Sequence, residues 1–114
     1  MSRVFIVQEN RHLDFGAAEH YGELVFLTAD EFKPVVRSPL NDRIIEEIKA
    51  NLSDFNAKED FIILNGNPTI IGFAFAEAMS RCGPLEGLRV LQWEKRSHEY
   101  RPYEFGYKPT SPQK

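Results

Sequence analysis

This chain is short of nearly everything that marks a ready-made activity. It has a single cysteine, Cys82, among 114 residues, so no disulfide can form within it, and the expected setting is a reducing compartment. No apolar run approaches the roughly 18 residues of a membrane span, and the apolar part of MSRVFIVQEN is too short for a secretion signal. A cytoplasmic protein with no membrane partner is the expectation. The glycines do not fall in a dinucleotide fingerprint, and no lysine completes a phosphate-binding loop. No serine sits in a nucleophile elbow, and no carboxylate pair is spaced locally for acid–base work. The sequence therefore offers no catalytic residue, no metal ligand set and no cofactor, and enzymatic activity has no support in it.

Excess positive charge is also missing. The net charge of −3 argues against bulk nucleic-acid binding. The charge is segregated, however: residues 1–88 carry 8 basic and 14 acidic side chains, whereas residues 89–114 carry 6 and 3. What the chain has in quantity is aromatic surface, with nine Phe and four Tyr to carry burial. Its apolar content of 42% is that of an ordinary globular domain.

The richest stretch is Asp60 to Gly83, DFIILNGNPTIIGFAFAEAMSRCG. Phe61 to Leu64 reads as a strand covered on both faces. Asn65-Gly66-Asn67-Pro68 reads as a tight turn in which Asn67 caps a helix and Pro68 takes its first position. Ile70, Ile71, Ala74, Phe75, Ala78, Met79 and Cys82 form a broad apolar face, Cys82 as a buried small hydrophobe. Thr69, Phe73, Glu77, Ser80 and Arg81 form a narrow strip opposite. So apolar a helix demands cover on more than one side, and the small Gly72 and Ala76 are expected to pack on the domain's own sheet. Gly83-Pro84 stops the helix.

Around this unit, Arg3 to Gln8 and Glu23 to Thr28 read as strands, joined by a polar loop interrupted by Leu13, Phe15 and Ala17-Ala18. Phe32 to Arg37 reads as a third strand, in a hairpin with the second and at an edge because of Pro34. Ser38-Pro39 should start a helix, with Ser38 as its cap. Its stripe of Leu40, Ile44, Ile45, Ile48, Leu52 and Phe55 covers a sheet, and its end falls near Asp54 to Asn56. Leu88 to Glu94 and His98 to Phe105 form a last antiparallel hairpin at an edge. The expected fold is one mixed α/β (α+β) domain over residues 1–105. It holds a five- or six-stranded mixed sheet and two main helices in the order β-β-β-α-β-α-β-β, followed by a loose tail over 106–114.

Two places could bind something. At the turn, Asn65, Gly66, Asn67 and Thr69 could offer backbone amides and a helix dipole to an anion, in an open concavity completed by Arg81 or Arg89. In the last hairpin, Trp93, Lys95, Arg96, His98, Tyr100 and Arg101 interleave basic and aromatic side chains, as a stacking platform for single-stranded nucleic acid requires. Glu94, Glu99 and Glu104 alternate with them and repel phosphate, so an amphipathic edge hairpin explains the same pattern. His12, Asp14, Glu19 and His20 share the first loop but lack metal-ligand spacing.

Two stretches also look alike to a known group: EHYGELVFLTADEF, and the run from Asp60 through RVLQWEKRSHEYRPYEF. Together they resemble small uncharacterised proteins of bacteriophage and prophage gene sets, over roughly residues 19–105. The resemblance carries no functional residue. It implies a small product that binds a host or viral macromolecule. A protein partner is the first expectation, nucleic acid the second, and self-association is compatible with both. The alternatives are a small nucleotide- or phosphate-binding protein using the Asn65–Pro68 turn, with or without catalytic activity, and a structural virion component.

Overall fold

The computed structural model describes residues 2–29 and 38–106. Five strands form one mixed sheet: β1 (Arg3–Gln8), β2 (Glu23–Thr28), β3 (Phe61–Ile63), β4 (Leu88–Glu94) and β5 (Glu99–Phe105). Their order across the sheet is β2-β1-β3-β4-β5. The first four run parallel, and β5 returns antiparallel to β4 as the hairpin pattern required. The chain thus folds as the expected α+β domain, with helices α1 (Pro39–Asn51) and α2 (Pro68–Ser80). The third expected strand, Phe32 to Arg37, and its hairpin lie outside the described residues, as does the tail from residue 107.

Both helices lie on one face of the sheet. Ile44, Ile48 and Leu52 from the α1 segment and Ile70, Ala74 and Ala78 from α2 meet Phe5, Val7, Leu27, Ile62 and Leu88 there. The opposite face holds a smaller core of Val4, Ile6, Phe61, Ile63, Leu91 and Tyr100, closed by Phe15 and Ala18 of the first loop. Strands β1 and β3, buried on both faces, accordingly read as continuous apolar runs. The lid over the second face is a 3-10 turn, Gly16–His20, where the sequence allowed a single helical turn.

Four local expectations are corrected. Ser38 is extended (φ −155°), and its side chain makes no capping bond, so Pro39 alone sets the start of α1. That helix ends at Asn51 rather than Asp54–Asn56: the Ser53 and Phe55 amides bond carbonyls three residues back instead of four, so the chain tightens into turns, and the Asn51 side chain donates to the Leu27 carbonyl (2.9 Å). Gly72 and Ala76 are exposed, and a Cβ placed on Gly72 would meet nothing within 4 Å. The helix packs on the sheet and α1, with Ile71, Phe73 and Phe75 half-buried along its flanks, and its small residues face outward. Cys82 is half-buried rather than buried, its Sγ 3.5 Å from the Ala78 carbonyl.

An electrostatic staple closes the N-terminal end of the sheet. Asp60, 1% exposed, accepts from the Arg3 amide (3.0 Å), the Arg3 guanidinium (3.1 Å) and the Asn56 amide (2.8 Å). Burial alone would lower the Arg3 pKa. Its bonds to Asp54 and Asp60, and their charges, outweigh that and raise it.

Candidate functional site at the C-terminal ends of the strands

The chain leaves β1 across the loop face to reach β2, and leaves β3 across the helix face through α2. The two departures diverge, and in open α/β sheets that divergence opens a crevice beyond the strand ends. Two concavities occupy this end. One, of about 540 Å³, is polar and lined by Gln8, Glu9, Arg11, His12, Asn65 and Asn67 among others. Its neighbour, of about 510 Å³, is apolar; Leu13, Phe15, Ile63, Leu64, Leu91 and Trp93 are among its walls. Leu13 and Asn65 belong to both.

The Asn65–Asn67 turn is stitched to β1 through side chains. Asn65 Nδ2 donates to the Gln8 carbonyl (2.7 Å), and its Oδ1 accepts from the Gln8 amide (3.2 Å). The side chain thereby imitates one more peptide unit of strand pairing after β3 has ended. Gln8 Oε1 then accepts from the Asn67 amide (2.9 Å), and Asn67 Oδ1 takes the Thr69 amide (2.8 Å), the expected cap. Two of the amides that an anion would need, those of Asn67 and Thr69, are therefore held by Gln8 and Asn67. Arg81 bonds Glu77 (3.3 Å) and the Ser53 carbonyl (3.3 Å), while Arg89 stacks 4.3 Å from the Phe61 ring centroid. Neither lines either concavity; the basic groups at the polar one are Arg11 and His12.

The hairpin residues divide by strand parity. Trp93 and Tyr100 face each other across the pair, rings 5.1 Å apart and edge-on, and Trp93 keeps 43% of its surface exposed. Tyr100 is buried in the loop-face core and lines the apolar groove; burial, with the nearby charge of Asp14, raises its hydroxyl pKa. Lys95, Arg96 and His98 form the exposed tip, with His98 at φ 55°. Arg101 pairs with Gln92 on the opposite face and bridges to Glu99 (3.1 Å). The expected platform is thus not one surface: the aromatics join the groove, and the cations stand apart from it.

The family model of the Phage Pam3 gp32-like proteins matches residues 2–107. The chain belongs to the Phage Pam3 gp32-like protein family. The resemblance to small phage proteins is thereby established, and the match reaches beyond residues 19–105 to include β1. Neither the curated proteins nor the solved structures yield a match. In this family member, sequence reasoning missed the walls of the groove. Its one available signal was Leu13 and Phe15, two large apolar residues in an otherwise polar loop. Among the described residues, no three His, Cys, Asp or Glu side chains converge as metal ligands, and no helix is long and apolar enough to cross a membrane.

Proposed function

We propose that this phage-related protein is a non-enzymatic binding protein that contacts a host or viral protein through the apolar groove beside its last hairpin. The carrying observation is the groove itself, about 510 Å³, with the exposed Leu13 (51%) and Trp93 (43%) among its lining residues. A sheet this well buried gains nothing for its own stability from leaving both side chains in water. Half-exposed aromatic and aliphatic anchors around a depression are what protein interfaces use as energetic centres. The polar crevice next door supplies the hydrogen-bonding rim.

The partner is a protein rather than nucleic acid on this reading, because Glu94 and Glu99 flank the cations of the hairpin. A salt titration of the purified complex separates the two. Protein contacts dominated by Leu13 and Trp93 give a shallow dependence, whereas phosphate contacts lose affinity steeply. Trp93→Ala is expected to weaken the complex about ten-fold or more. Unchanged affinity in Trp93→Ala and Leu13→Ala would overturn the assignment of the groove.

A further inference from the structure

Resting on that reading of the groove, we infer that its occupant is an extended peptide segment of the partner, added as a strand to the unpaired inner edge of β4. Strand β3 stops at Ile63, and its pairing with β4 is centred on Ile62 and Val90. Strand β4 continues to Glu94. Beyond Leu91 it therefore has β5 on one side and, among the described residues, no strand on the other.

The parity of the β4–β5 pair fixes which groups are free. Pro102 has no N–H to give and lies opposite Leu91. The Tyr100 carbonyl accepts from the Tyr21 hydroxyl (2.8 Å), a side-chain donor outside β4. Both observations place Leu91–Pro102 and Trp93–Tyr100 among the pairs that do not exchange main-chain bonds. The Trp93 N–H and C=O then point away from β5, into the gap above β3. No turn, loop or cap bond takes them among the described residues.

The groove follows this edge. Leu91 and Trp93, which share one face of β4, and Val90 and Gln92, which share the other, all line it. A depression touched by both parities of one strand lies along its edge in the plane of the sheet. Asn65 and Leu64 form the opposite bank, where the Asn65 side chain has already satisfied β1. The outer edge of β5, by contrast, is guarded by Pro102 and Tyr21. An entering strand would find main-chain partners at Trp93 and a pocket for one apolar side chain between Leu13, Phe15 and Tyr100, the combination by which strand addition achieves affinity and selectivity. Lys95 and Arg96 lie beyond Trp93, and neither is in an ion pair among the described residues.

The test pans a library of short random linear peptides against the full chain and follows the selected peptide by amide exchange. Trp93 is expected to exchange freely in the unbound chain and to become protected with peptide. Methylating the peptide's backbone nitrogens one at a time should cost ten-fold or more at alternate positions only. Trp93→Pro should bind more weakly than Trp93→Ala, and the methylation scan stays informative if the proline variant does not fold. A peptide that binds in the groove with Trp93 still exchanging, or that tolerates methylation everywhere, overturns strand addition and leaves the groove assignment standing. Failure to select any peptide, or selection of oligonucleotides alone in a parallel panning, overturns it as well. Loss of the native complex's sensitivity to Leu13→Ala and Trp93→Ala is the separate result that removes the groove.

Discussion

Individual side chains hold the C-terminal end of the parallel strands together, and Gln8 is at the centre of them. Its main chain pairs with the Asn65 amide group, and its own Oε1 holds the turn at Asn67. Gly66, at φ 106°, sits against it so closely that a Cβ would collide with Gln8 Oε1. Gly66→Ala is therefore expected to cost about 1–3 kcal/mol, from the strained backbone and the lost Gln8 bond, measured by urea denaturation. At the other end, Asp60→Ala strips the half-buried Arg3 of one of its two carboxylate partners and leaves the Arg3 and Asn56 amides without their acceptor, and should cost about 2–4 kcal/mol in the same assay. Neither role was readable from sequence. Asp60 and Arg3 lie far apart in the chain, and only the parallel pairing of β1 with β3 brings them together. His98 was readable as a hairpin-tip residue but not as a left-handed one. Replacing it with Gly should raise stability by about 0.5–1 kcal/mol, because glycine adopts that conformation without a Cβ penalty.

Elements were legible where a periodic pattern was long. Both helices and both long strands of the last hairpin follow their apolar spacing, and the parallel β3-α2-β4 unit follows from the length of its crossover. What the pattern could not give was which side of α2 meets the sheet. Its apolar residues surround almost the whole helix, so periodicity allowed the small face to be placed on the sheet, which is the wrong side. The structure turns Gly72 and Ala76 to the outside. Gly72→Ala should accordingly stabilise the protein by about 0.5–1 kcal/mol by removing a flexible residue from the middle of a helix with open space beside it. A cost in place of that gain would show that something packs on this face. The groove was invisible for a related reason: it arises from the mismatch between a three-residue β3 and a seven-residue β4. Sequence read β3 one residue too long and could not register one strand against the other.

For the whole molecule, two acidic groups set the alkaline limit. Burial, reinforced by the charges of Glu86 and Glu104, raises the Cys82 thiol, and burial with the charge of Asp14 raises Tyr100. Each folded-state pKa lies above its unfolded value, so their contribution is complete at neutral pH. It is lost as pH rises past the ordinary thiol and phenol values of 9.0 and 10.0. Thermal unfolding should thus be flat through neutrality and fall above that range, and the folded thiol should alkylate more slowly than the unfolded one at pH 8.

At this scale the fold is a rigid support whose parallel strands all end at one rim, with a polar crevice and an apolar groove side by side. Photo-crosslinking tests directly whether that rim is the working surface. A photoreactive residue placed at Leu13, and separately at Lys49 on the exposed face of α1, is irradiated in infected host cells. Contact through the groove predicts a single discrete protein adduct from position 13 and none from position 49. Equal labelling from both positions, or adducts from 49 alone, would contradict it.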